Sequence, residues 1–127
     1  ALSPTWRTES GICVSSSYAA HGYVPYGTGD TAELVTPFFD CSQFGYVMLK
    51  FNHICKILPG DICAVQYQEQ GVGAHYRWTD LPKDSYLGNS STFKSTQLFD
   101  HSSYPEWKAN DTFAIPTNGW WKEESFE

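Results

Sequence analysis

The chain is poor in basic charge. Eight Lys and Arg stand against fourteen Asp and Glu, for a formal net charge of −6, and no Lys/Arg cluster occurs anywhere in its 127 residues. Nucleic-acid binding needs a basic footprint that displaces counterions from phosphates, so this composition argues against it. The same deficit argues against an anionic membrane surface. No stretch approaches the ~18 consecutive apolar residues of a membrane-spanning helix, which argues against membrane insertion. The opening Ala1-Leu2-Ser3-Pro4-Thr5-Trp6 does not read as a signal peptide. It reads as a mature end left by cleavage, or as an internal boundary.

Helical periodicity is nearly absent. No window of about eleven residues carries an apolar stripe at i, i+3, i+4 and i+7 with caps. Chemical motifs are equally scarce. The spacings of 28, 14 and 8 between Cys13, Cys41, Cys55 and Cys63 contain no CxxC pair for zinc or redox chemistry. The four histidines form no HExxH pair. Asp100-His101-Ser102 puts triad residue types side by side, but a triad needs spatial convergence, and no G-x-S-x-G elbow is present. The chain is therefore read as no enzyme.

What the sequence has is apolar and aromatic mass. Hydrophobic residues make up 41 % and charged residues only 17 %, a balance that favours an ordered core over disorder. Aromatics reach 17 %, which suits a sheet core, a binding face, or both. The length predicts one module spanning 1–127. An even cysteine count without metal spacing fits two disulfides in an oxidising compartment, with three connectivities open. A Cys55–Cys63 bridge would close a short hairpin, and Cys13–Cys41 would tie down the N-terminal segment.

Turn formers punctuate the chain at short intervals and predict an all-β fold. Gly11–Val14 and Ala32–Thr36 read as short strands, with Ser15–Thr31 a long loop. Tyr46–Ile54 is the clearest strand: Val47, Leu49 and Phe51 alternate with Met48, Lys50 and Asn52, and His53 continues the core-facing set as a half-buried histidine with a hydrogen-bond partner. Leu58-Pro59-Gly60-Asp61 is a strong turn, after which Ile62–Gln68 reads as the returning strand of a hairpin. His75–Thr79 reads as a further strand, Pro82–Tyr104 as a polar surface excursion, and Trp120–Phe126 as the last strand. The predicted core includes Leu34, Val47, Leu49, Phe51, Ile62, Ala64, Val65 and Trp78.

Loop aromatics offer contact area at low entropic cost, so Trp6, Tyr23, Tyr26 and Trp107 are candidate ligand-binding residues. Trp121 joins them because two consecutive tryptophans on a strand must face opposite ways. Loop carboxylates and carbonyls suit a hard cation, so a structural calcium site is weighed, with Asp30, Asp40 and Asp61 as first candidates and no DxDxDG loop to support them.

Several of these segments together resemble a known family. They are Ala32-Glu33-Leu34-Val35-Thr36-Pro37, Asp40-Cys41-Ser42, Tyr46 to His53, Asp61 to Gln68, Arg77-Trp78-Thr79-Asp80-Leu81, Ser103-Tyr104-Pro105-Glu106-Trp107 and Trp121-Lys122-x-Glu124. Their order is similar to that of MAM-like and cleaved-adhesin-type jelly-roll modules in large secreted proteins of Bacteroidetes. The resemblance covers roughly 30–127. It implies an antiparallel β-sandwich of jelly-roll type, secretion to the cell surface, and attachment to further domains or to copies of itself. It also implies a strand beyond Glu127 that this sequence does not include. The expected function is an extracellular, non-catalytic binding or adhesion module for carbohydrate or protein. The alternatives are an assembly subunit joined through an open sheet edge, and an accessory domain of a secreted degradative enzyme.

Overall fold

A computed structural model of the chain describes residues 7–11, 13–14, 19–21, 31, 33–70, 77–108 and 115–127. The chain divides into two compact units, Ala1–Gly45 and Tyr46–Glu127. The architecture is β-rich with little helix, as the turn punctuation predicts.

In the first unit, β1 (Arg7–Glu9) pairs antiparallel with β2 (Ala19–His21). β2 falls within the stretch expected to be loop. The expected strands at Gly11–Val14 and Ala32–Thr36 do not form among the described residues: Gly11 and Val14 lie in bends, and Glu33–Thr36 has no ladder partner. Leu34, expected in the core, is 61 % exposed.

The second unit is built around β3 (Leu49–His53) and β6 (Lys122–Phe126), paired antiparallel from Leu49↔Phe126 to His53↔Lys122. Strand alternation splits this ribbon into two faces. One carries Lys50 and Asn52 beside Glu123 and Ser125, with an exposed Lys50–Glu123 ion pair at 3.2 Å that contributes little to stability. The other carries Phe51 and His53 beside the buried Glu124 and Phe126.

The expected hairpin partner of β3 is displaced. The turn forms as predicted: Asp61 N–H donates to Leu58 O at 3.0 Å, and Gly60 takes φ 95° behind Pro59, the pattern of a type II turn. The returning segment nevertheless leaves β3. Ile54 and Cys55 both turn toward the core, which breaks the period of two and ends the strand at His53. Cys63 then exchanges backbone hydrogen bonds with Phe99, at 2.8 and 2.9 Å. Farther on, β4 (Gln66–Tyr67) pairs antiparallel with β5 (Thr79–Asp80).

The core lies elsewhere than expected. Its buried members are Cys55, Tyr86, Phe93, Phe99, Trp107 and Phe126. Of the predicted set only Phe51 and Val65 pack against them. Val47, Leu49, Ile62 (66 % exposed), Ala64 and Trp78 (45 % exposed) are exposed. Pro82–Tyr104, read as a surface excursion, supplies three of the six buried residues, Tyr86, Phe93 and Phe99. Large rings bury more apolar area than aliphatic side chains, so a few aromatics outweigh a longer aliphatic run.

The polar residues of that segment are spent on one another. Ser90 caps the short helix α1 (Ser91–Thr96), its Oγ accepting from Phe93 N–H at 3.2 Å. Ser103 Oγ accepts from Asp100 N–H at 2.9 Å, and Ser90 Oγ donates to Ser103 O at 3.4 Å. Gln97 closes the helix in the left-handed region at φ 64°, its N–H bonding Phe93 O. Phe93 is thereby set between Phe99 and Tyr86, each with a ring-centroid distance of 4.6 Å.

Candidate functional site

Glu124 lies at the centre of the second unit with none of its surface exposed. A buried carboxylate is strongly unfavourable unless its lone pairs are satisfied. Three donors converge on this one. His53 Nε2 donates to Oε1 at 3.1 Å, Tyr104 Oη donates to Oε1 at 2.7 Å, and Tyr86 Oη donates to Oε2. The Tyr86 hydroxyl in turn accepts the Ser90 N–H at 2.9 Å. Each partner comes from a different element: His53 from the end of β3, Tyr86 from a bridge to Phe126, and Tyr104 from the turn before Pro105–Lys108.

Rings enclose the cluster. The imidazole of His53 meets Phe99 edge-on at 4.7 Å and Trp107 at 5.0 Å, and Trp107 meets Tyr104 at 4.8 Å. Burial pushes the Glu124 carboxyl up, but hydrogen bonds from His53, Tyr104 and Tyr86 outweigh it and hold the group below its ordinary range. Burial, followed by the hydrogen bond to Glu124, raises both tyrosines. The result is an ionised carboxylate ringed by protonated hydroxyls. All three donors are committed to Glu124, so the arrangement serves as a polar pin between β3, β6 and the segment 86–104.

Gly88 makes room for it. A Cβ there would overlap the Tyr86 ring and hydroxyl and the Glu124 carboxylate. Gly88→Ala is therefore expected to destabilise the protein by about 1–3 kcal/mol through overpacking, read as a lower denaturant midpoint at unchanged slope. A midpoint equal to that of the parent would show that the cluster is loose.

A second feature lies on the surface. Val65 and Leu81 both pack toward the core and are joined by Leu81 N–H to Val65 O at 2.9 Å. Alternation from that pair turns Gln66 and Asp80 to the opposite, outward face, and Ile62, Ala64 and Trp78 flank the two strands. All five are exposed, and Gln66 Nε2 donates to Asp80 Oδ1 at 2.7 Å. An exposed indole thus stands two residues before the carboxylate of an ordered amide–carboxylate pair.

The expected binding aromatics fare differently. Trp107 is wholly buried, and its Nε1 donates to Trp120 O at 2.8 Å, so it is a core residue and no ligand platform. Trp120 and Trp121 precede β6: Trp120 ends a 3₁₀ turn over Asn118–Trp120, so the alternation argument for Trp121 does not apply. Trp121 is half-buried, and its Nε1 is enclosed without a hydrogen-bond partner among the described residues. Trp6, Tyr23, Tyr26 and Asp30 lie outside the described residues.

Asp40 Oδ1 accepts from Ser42 N–H at 3.0 Å and Ser42 Oγ at 2.6 Å, which lowers its pKa and commits it to a local turn. Asp61 closes the Leu58–Asp61 turn in the other unit. Among the described residues no group of three or more His, Cys, Asp or Glu is placed to hold a metal. Asp100 Oδ1 takes both the N–H and the Oγ of Ser102, at 2.8 and 2.7 Å, so Asp100-His101-Ser102 is a local turn with no relay through the histidine. The two expected disulfides are not formed: all four cysteines are free thiols, and Cys13 Sγ donates to Ser10 O at 3.9 Å.

Sequence reasoning placed His53 correctly and missed Glu124, Tyr86 and Tyr104. A signal for Glu124 was present, since it stands two residues before Phe126 and so shares that residue's face of the strand. No family model, curated protein or solved structure matches this chain.

Proposed function

We propose that this chain is an extracellular, non-catalytic recognition module of antiparallel β-sandwich type, and that it binds carbohydrate through the outward face of β4 and β5. The observation that supports this reading is the exposed Trp78, two residues along the chain from the hydrogen-bonded Gln66–Asp80 pair. An indole supplies a flat apolar surface for a sugar ring, and a fixed amide and carboxylate supply directional hydrogen bonds. Neighbouring Ile62 and Ala64 extend the apolar part of the face. The buried Glu124 cluster fits this reading as a support that makes the unit rigid.

The test is a glycan and polysaccharide screen read by Trp fluorescence, followed by Trp78→Ala. Saturable binding is expected in the parent, with at least a tenfold loss in the variant and unfolding free energy within about 1 kcal/mol, because the side chain is exposed. Binding that survives Trp78→Ala would remove this face from the proposal. A clean negative from folded protein would shift the reading to a protein ligand.

A second reading rests on the ladder edge. Among the described residues no backbone hydrogen bond runs from the outer side of β3, and an open edge accepts a strand from another chain. Light scattering that shows mass rising with concentration would favour such assembly.

A further inference from the structure

We propose that Asn89 is an N-glycosylation site, the acceptor for an oligosaccharide transferred from a lipid-linked diphosphate donor. The inference rests on the extracellular reading, since only an exported chain meets that donor. The acceptor pattern is an asparagine with a Ser or Thr hydroxyl two places on and no proline between. Asn52 and Asn118 are exposed but are followed at that place by Ile54 and Trp120, whereas Asn89 is followed by Ser91. Asn110 precedes Thr112 in the same pattern and lies outside the described residues.

A glycan is bulky and polar, so a folded protein carries one only where the acceptor stands at the surface. The tripeptide is anchored by its middle residue. Ser90 is 1 % exposed; its N–H donates to Tyr86 Oη at 2.9 Å, and its Oγ accepts from Phe93 N–H at 3.2 Å. Holding Ser90 inside leaves the two chemically required ends outside. Asn89 and Ser91 are both exposed, and neither side chain has a hydrogen-bond partner among the described residues. Leu87 before them and Lys94 after them are exposed as well, so a glycan on Asn89 displaces no packed side chain. In the transfer, Asn89 Nδ2 bonds to the anomeric carbon of the first sugar. The bond from that carbon to the diphosphate oxygen breaks, the lipid diphosphate leaves with the electron pair, and the amide gives up one proton. No oxidant or reductant takes part.

The test expresses the full chain behind a cleavable signal peptide in eukaryotic secretory cells. The total product, exported and retained, is digested, and its peptides are weighed before and after an amidase that cuts glycans from asparagine. The peptide holding Asn89 is expected to carry an N-acetylhexosamine-based glycan in the parent and in Asn110→Gln, and the amidase should leave a carboxyl in place of the Asn89 amide. Asn89→Gln should abolish the signal. Ser91→Ala should abolish it too while keeping the amide and the Ser90 cap, which assigns the effect to the missing hydroxyl. An unmodified Asn89 in Asn110→Gln, or a glycan that persists on Asn89 in Ser91→Ala, would overturn the proposal. Because the signal peptide is supplied, either result sinks this inference alone and leaves the recognition face, read through Trp78→Ala, standing or falling by its own test.

Discussion

Glu124→Ala is expected to destabilise the protein by about 3–5 kcal/mol, the range found when one member of a buried charged network is removed. The cause is what remains. His53 Nε2 and the hydroxyls of Tyr86 and Tyr104 would stay enclosed by rings with their common acceptor gone. Glu124→Gln keeps the volume and one acceptor oxygen, so a smaller loss is expected, about 1–3 kcal/mol. The two variants also separate charge from shape in their pH dependence. The carboxyl of Glu124 sits below its ordinary value of 4.5 in the folded protein. A depressed carboxyl contributes stability that is complete above the unfolded value and is lost as pH falls through the folded one. The parent should therefore lose stability as pH drops from about 4.5, and Glu124→Gln should lack that part of the acid limb. Urea unfolding at a series of pH values measures both. Identical acid limbs would mean that the ionised form of Glu124 is not preferentially stabilised by the fold.

Trp107→Ala is expected to be similarly severe, at about 3–5 kcal/mol, because a fully buried indole leaves a large cavity. Its ring meets His53 at 5.0 Å and Tyr104 at 4.8 Å, and its carbonyl accepts from Lys56 Nζ at 2.9 Å. Losing the ring should therefore loosen two of the three donors to Glu124. A double-mutant cycle with Glu124→Gln is expected to show coupling well above the ~0.5 kcal/mol scatter of independent sites. Additive effects would mean that Trp107 fills space without positioning the cluster. The contrast with Trp78→Ala is diagnostic. One tryptophan governs folding and the other is proposed to govern binding, although both stand in segments rich in turn residues.

Much of the local structure was legible. The Pro59-Gly60 turn, the inward-facing set at Phe51 and His53, the hydrogen-bond partner expected for His53, and the terminal strand through Phe126 all follow from turn chemistry and a period of two. The choice of partners was not legible. β3 and Ile62–Gln68 look like a hairpin because they flank a strong turn, yet β3 pairs with Lys122–Phe126, which lies more than 60 residues away in the chain. Alternation states which residues share a face; it does not state which strand lies beside them.

The core shows the same division. Composition determined that this chain would have an aromatic interior, and local pattern determined where its turns and its clearest strand would lie. Only the tertiary structure decided that Phe93, Phe99 and Trp107 would be buried while Ile62 and Trp78 would not. Ser90, Asp100 and Ser103 make that possible by satisfying the polar groups of their own segment, so a stretch that reads as surface can pack inside. Glu124 belongs to the same class. Beside Glu123 in the sequence it looks like another solvated carboxylate, and what makes it the pivot of the unit is the arrival of three donors from distant elements. Burial of a charge is decided by the partners that meet it, and those are brought together only when the chain folds.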